Sequence, residues 1–372
     1  MVKQTNAAKF NMTSFFQNGS LMQLSPNLFK LTSGPFKSTQ LNQIKVSSDH
    51  VVYQPHFWDF LNPTKNSEDT LIGAQSITFT RKELHSLLRL STEISSQKPK
   101  IAWQNVESFA FKKQFDWSQL KFRESKLEKA VPIISQICQT HFSVSNLVWM
   151  IGQLLSEEHF GWAYGFWQNG EGYLGQTPEL IAEWNRSNGT LKTHALAGTR
   201  WNGPGEDQKI MNDEKVYKEH QYVVSDISEK LNSILPVHQI QQTEVHVLKL
   251  KHLLHLKTDF SCTGVNFEQA LKIIQTLHPT AALGLYPRDR AEMKIFSELP
   301  LQNIRGQFAA PFTFFEPDHI LCVAAIRNLY FSQNEMTIYS GCGVTAESIY
   351  ENELSELEIK RESVKRMMGI NE

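Results

Sequence analysis

The last fifty residues limit the fold more than any other stretch. Two apolar runs, Ile-Leu-Cys-Val-Ala-Ala-Ile at 320–326 and Met-Thr-Ile-Tyr at 336–339, are too short for helices and read as strands. The first ends on Arg327, and the second continues into Ser-Gly-Cys-Gly-Val at 340–344. Gly341 and Gly343 at a strand end let backbone approach a ligand closely. Residues 350–368 then read as a helix, with Glu353, Glu356 and Lys360 on one side. That side overlaps an apolar stripe of Leu354, Leu357, Val364 and Met367. Carboxylates on a core-facing stripe are costly unless they are paired or bind a metal. Arginine, lysine and open amides beside them suit a small anionic substrate held with a divalent cation.

Upstream, the periodicities do not alternate strictly between strand and helix, which favours an α+β fold over a doubly wound one. Residues 82–90, 267–277 and 289–297 read as helices, and 160–184 as a hairpin or meander. Residues 206–233 read as one long charged helix, with an apolar stripe of Val216, Val223, Ile227 and Leu231 and Glu219 at its edge. Residues 1–115 are polar, with scattered aromatics and only short apolar runs. No repeat or low-complexity linker divides the 372 residues, so one domain is expected.

Charge and cysteine usage exclude whole classes of function. A formal net charge of −1, with no stripe of interleaved basic and aromatic residues, argues against nucleic acid. No apolar run approaches the roughly 18 residues of a membrane span. Cys138, Cys262, Cys322 and Cys342 form no CxxC motif or disulfide framework, and the N-terminus lacks the apolar stretch of a signal peptide. A cytoplasmic protein is the expectation.

By spacing alone, Glu219 and Glu356 read either as chelators of a hard cation or as solvated helix-face charges, and Lys215 offers Glu219 a plain helical ion pair. His246, His252 and His255 lie in a Val-Leu-Lys-Leu-Lys-His-Leu-Leu pattern without a partner at zinc spacing, so they read as structural. His278, before Pro279, reads first as a capping or core residue.

Five segments, in order, resemble the chorismate-utilising enzymes, the family of isochorismate, salicylate, anthranilate and aminodeoxychorismate synthases. They are Thr177-Pro-Glu-Leu180, His194-Ala-Leu-Ala-Gly-Thr-Arg200, Asn212 to His220, His278-Pro-Thr-Ala-Ala-Leu-Gly-Leu-Tyr-Pro-Arg288, and Ala324 through Ser340-Gly-Cys-Gly-Val344 to Lys360. The resemblance covers about 120 onward and leaves 1–115 as a divergent part of one 1–372 domain. It implies a single large domain of two packed β-sheets flanked by helices, with chorismate as substrate and Mg²⁺ as cofactor. By the same resemblance, Glu219 and Glu356 are Mg²⁺ ligands with Glu353 beside them. Arg327, Lys360 and the amides at Gly341 and Gly343 form a carboxylate pocket, with Gly198, Thr199 and His278 as substrate contacts. Lys129 stands where amine-adding relatives carry Gln, so it is the base towards water, and Glu179 is the acid for the leaving C4 hydroxyl. Leu283 matches a pocket-shaping position of isochorismate synthases. The implied reaction is isochorismate synthesis, feeding menaquinone or siderophore production, with salicylate synthase and an inactive binding subunit as alternatives. No amidotransferase subunit is expected, and the implied assembly is a monomer or weak dimer.

Five positions, in four places, depart from the family pattern. Pro132 interrupts the strand expected after Lys129. Val216 replaces an acidic residue three before Glu219. Ala310 and Thr313 replace glycines. His194 stands where an acid is common.

Overall fold

Chain reversals with hydrogen-bonded antiparallel neighbours sort the strands into two sheets, of eight and ten strands. The computed structural model describes residues 10–45, 50–61, 69–90, 96–156, 161–249 and 253–371. The first sheet runs Gln75–Thr80, Leu28–Ser33, Asn18–Ser25, Trp162–Gln168, Glu171–Thr177, Asn328–Phe331, Glu335–Gly341, Ile133–Gln139. The second runs Ile240–Gln242, Leu253–Cys262, Thr190–Trp201, Leu180–Asn185, His319–Ala324, Pro311–Glu316, Val51–Tyr53, Thr70–Ile72, Lys37–Thr39, with His246–Lys249 also on Leu253–Cys262.

The sheets meet face to face. Met22, Tyr164, Phe166 and Tyr173 of the first pack in one cluster with Val52, Phe312, Phe314, Leu321 and Val323 of the second. Both outer faces are apolar too, because inward and outward positions alternate along each strand, so helices must cover them. The helices Arg81–Leu90 and Val144–Ser156 cover the first sheet, and Glu214–Asn232 and Phe267–Leu277 cover the second. Nine helices stand among the described residues, and none is long and apolar enough to cross a membrane. The architecture is the expected α+β one.

Three local readings change. Residues 206–233 are two helices, Glu206–Met211 and Glu214–Asn232, because the Asp213 side chain caps the second by accepting from the Val216 amide at 3.1 Å. Within 160–184, Trp162–Gln168 and Glu171–Thr177 form the hairpin, but Leu180–Asn185 leaves it and joins the other sheet. Pro132 lies before the strand Ile133–Gln139, so its missing N–H removes no ladder bond, and its carbonyl accepts from the Cys342 amide at 3.3 Å.

The chain changes sheet twice at one place. Glu179 lies between Glu171–Thr177 of the first sheet and Leu180–Asn185 of the second. Arg327 lies between His319–Ala324 of the second and Asn328–Phe331 of the first. The crossings are tied together: the Ala324 amide donates to the Glu179 carbonyl at 3.0 Å, and the Gln176 amide to the Arg327 carbonyl at 3.2 Å. Arg327 holds a left-handed backbone, φ 55°, which a non-glycine residue adopts only under tertiary constraint.

Candidate active site

One pocket opens at these crossings, and eleven of the thirteen residues singled out from sequence stand in its wall: Lys129, Glu179, Gly198, Thr199, Glu219, Leu283, Arg327, Gly341, Gly343, Glu356 and Lys360. Local structure brings each one there. Lys129 pairs backbone to backbone with Tyr286, and Ala130 with Val344, which lays the 129–132 segment beside the 341–344 turn. Gly198 sits at a β-bulge between Ala197 and Thr199 with φ 77°, and a Cβ there would strike Val216. Val216 is therefore a packing residue, grouped with Ile210, Leu254 and Leu256. A Cβ at Gly343 would collide with the Glu219 carboxylate and the Lys129 stem, so only glycine allows that approach.

The charges are arranged in pairs. Lys129 Nζ, on a side chain 1% exposed, lies 3.2 Å from Glu219 Oε1. Lys360 Nζ lies 2.6 Å from Glu356 Oε1 and donates to the Gly341 carbonyl at 2.7 Å. Arg327 Nη1 donates to Ser363 Oγ at 2.9 Å. Glu179 has no such direct cation contact, and burial lifts its carboxyl to about 7 against the pull of Lys129, Lys360, Thr280 and Arg327.

Glu353 and His278 are placed elsewhere. Glu353 is buried outside the pocket wall, its Oε1 3.2 Å from Lys215 Nζ, with its pKa raised by burial and by Glu356. His278 is not in the wall. It ends the helix Phe267–Leu277, its Nε2 is 2.8 Å from the Phe57 carbonyl, and Phe57 and Phe60 pack edge-on against its ring. The capping and core reading describes its position, because the Pro279 break turns the ring away towards the 57–60 segment. Among the described residues no group of three or more His, Cys, Asp or Glu side chains is gathered closely enough to hold a metal. Beside the Glu179 carboxyl, Glu219 and Glu356 also face the pocket, each paired with a lysine. Mg²⁺ takes only one or two carboxylates and completes its shell with waters and substrate oxygens, so this donor set fits the ion.

Among the wall residues that sequence reasoning did not place there are His255, Arg305, Phe308 and Tyr339. His255 Nδ1 is 3.1 Å from Thr199 Oγ1, its Nε2 has no hydrogen-bond partner, and burial, with Arg327 and Lys360, drops its pKa to about 3, so the ring is neutral. Of the three histidines of that stretch, His246 is exposed beside Asp259, His255 stands in the pocket wall, and His252 lies outside the described residues. Arg305 is buried with its guanidinium 3.5 Å from the Phe57 ring centroid. The departure at His194 has a clear use: its Nε2 accepts from the Leu180 amide at 3.1 Å, and burial keeps the ring neutral, so it supplies the acceptor a carboxylate would.

Residues 50–369 match the family model described as chorismate binding enzyme. Isochorismate synthase MenF of Bacillus subtilis is 25% identical over 265 residues, 69% of this chain and 55% of that protein. The Escherichia coli protein of the same name is 27% identical over 270 residues, 68% of this chain and 60% of its own length. The chain thus spans little more than half the length of these relatives. In structure, the menaquinone-specific isochorismate synthase MenF of Escherichia coli superimposes with TM-score 0.75 at 17% identity, covering 97% of this chain and 92% of that one. Anthranilate synthase component I of Streptococcus pneumoniae superimposes at 0.72 and 13% identity, covering 93% of each. At those identities the superpositions establish the fold.

Proposed function

The chain belongs to the chorismate-binding enzyme family, and from that premise we propose that it is an isochorismate synthase. The observation that carries the reading is Glu179: a buried carboxyl, raised to about 7, in the same pocket as Lys129, Arg327 and Lys360. Moving a hydroxyl from C4 to C2 of a cyclohexadiene ring needs an acid that still holds its proton near neutrality. Here a water oxygen bonds to C2, Lys129 Nζ takes its proton, the ring double bonds shift, and the C4–oxygen bond breaks. Glu179 gives its proton to the departing hydroxyl, which leaves as water. Arg327, Lys360 and the Gly341 and Gly343 backbone hold the substrate carboxylates. Glu219 and Glu356 would hold Mg²⁺, which supplies charge neutralisation at a carboxylate, with Glu353 behind them.

Four free, buried cysteines fit a reducing, cytoplasmic setting. The test is incubation with chorismate and Mg²⁺, resolving isochorismate, salicylate with pyruvate, and unchanged substrate. Isochorismate alone is expected. Salicylate would make the chain a salicylate synthase, and unchanged chorismate would make it an inactive member of the family. Whether the product serves menaquinone or a siderophore is read from which downstream enzyme consumes it.

A further inference from the structure

A buried ion pair stands one layer behind the pocket. Asp226 and Lys230, one turn apart on the helix Glu214–Asn232, are 3% and 8% exposed, with Lys230 Nζ 2.7 Å from Asp226 Oδ2. Neither reaches the pocket wall. Both instead grip the segment that follows the helix Phe267–Leu277. Asp226 Oδ2 accepts from the Ala281 amide at 2.8 Å, and Lys230 Nζ donates to the Pro279 carbonyl at 2.7 Å and the Leu277 carbonyl at 3.3 Å. From the other side Arg288 donates to the Thr276 and His278 carbonyls at 2.8 and 2.9 Å.

Between the gripped Pro279 and Ala281 lies Thr280. Its hydroxyl is buried and holds no full hydrogen bond, and it is one of the groups that favour the ionised form of Glu179. Ala282 and Leu283, the next two residues, are in the pocket wall. Two buried charges are a costly way to hold a loop, because well-packed apolar residues often serve stability as well or better. What the pair adds over apolar packing is direction: it fixes one N–H and two C=O groups at once.

We propose that Asp226 and Lys230 are positioning residues that clamp the 277–283 segment, setting the Thr280 hydroxyl beside Glu179 and Leu283 in the pocket wall. The groups facing Glu179 across the pocket are Lys129, Lys360 and Arg327, and those facing the clamp are Arg288 and Glu229. The proposal rests on the isochorismate synthase reading, since it gives the clamp a task in proton delivery.

The test uses the full chain with chorismate and Mg²⁺, and compares Asp226→Asn, Thr280→Val, Thr280→Ser and the Asp226→Asn/Thr280→Val double variant. Thr280→Val should lower kcat on the order of tenfold with KM changed less than about twofold, and Thr280→Ser should restore it. Asp226→Asn should lower kcat by a similar factor, and the double variant should be no slower than the worse single one, because both changes break one arrangement. Thr280→Val leaves the clamp untouched, so the proposal stays testable if Asp226→Asn does not fold. Unchanged kcat in Thr280→Val, or losses that multiply in the double variant, would overturn the clamp while leaving the proposed activity standing. A wild-type chain that makes no isochorismate would overturn that activity first, and the clamp's task with it.

Discussion

Glu179 and Glu356 line one pocket and feel the same two cations, Arg327 and Lys360, yet they settle in opposite states. Burial pushes both carboxyls up. At Glu356 that push is overcome by Lys360, whose ammonium touches it at 2.6 Å, and then by Arg327, so the pKa ends below the usual range. At Glu179 the lysines and arginine act only from a distance, burial wins, and the carboxyl rises to about 7. A Coulomb attraction that falls with distance and dielectric separates the two. The lesson is that a direct contact, more than the number of nearby positive charges, decides which acid stays ionised. One region of the pocket is thereby set to hold cations or a cationic partner, and the other to hold a proton.

The strongest way to break this contrast is Glu179→Gln. If Glu179 is the proton donor, kcat should fall on the order of 10³-fold while chorismate still binds, because the amide keeps the shape but cannot deliver a proton. Steady-state turnover together with equilibrium binding by calorimetry checks it; a variant that keeps near-normal turnover removes Glu179 from the chemistry. Glu356→Gln comes next. It takes away a hard-cation ligand at constant volume, and Mg²⁺-dependent turnover should fall on the order of 10²- to 10³-fold with an unchanged circular dichroism spectrum. Retained Mg²⁺ dependence would assign the ion to other groups.

The two carboxyls were not equally readable from sequence. Glu356 announced itself by local spacing, since a carboxylate four before Lys360 on a core-facing helical stripe is visible in any window of the Tyr350–Met367 helix. Nothing local distinguishes Glu179, which follows Thr-Pro at a strand crossing; only the family resemblance singled it out, and its pKa is a property of the closed pocket. The same division runs through the chain. The C-terminal strands and helix carry strong periods and were legible. Strands of three residues such as Lys37–Thr39, Val51–Tyr53 and Thr70–Ile72 carry none, although they complete the second sheet. His255 lay hidden in a Lys-Leu pattern because its partners, Thr199 and the pocket, are brought in by the neighbouring strand. Arg305 had no local signal at all. The break at Asp213 did have one, an acid at a helix start, and the surrounding charge period masked it.

Arg327→Lys sharpens the contrast from the cation side. A guanidinium fits a carboxylate in a bidentate way that a point charge does not reproduce, so transition-state binding should weaken by about 1.5–3 kcal/mol, read from kcat/KM. If kcat/KM is unchanged, or if substrate-bound crystals show Arg327 turned from the ligand, the carboxylate contact belongs elsewhere.

The smallest effect tests the contrast most directly, because it needs no turnover. Glu179 binds its proton more tightly in the folded chain than in the unfolded one, its pKa rising from 4.5 to about 7. Between those values folding favours the protonated form, so this group's stabilising contribution is lost as pH climbs through about 7, and above that its buried charge is a cost. Glu179→Gln, a permanent stand-in for the protonated carboxyl, should therefore gain stability relative to wild type as pH is raised from 5 to 8, by on the order of 2 kcal/mol. Glu356 has the opposite sign. Its folded pKa is lowered, so its charge contributes stability above the unfolded value and loses it as pH falls. Glu356→Gln should lose stability relative to wild type at pH 8 and recover towards it in acid. Denaturant midpoints, in chelator to keep divalent ions out, of wild type and Glu179→Gln at pH 5 and 8, and of wild type and Glu356→Gln at pH 8 and at a pH below the free carboxyl value of 4.5, give two differences of opposite trend. Parallel trends would mean that contact with Lys360 does not separate the two acids, and the division of the pocket into an ionised and a proton-holding region would fall with it.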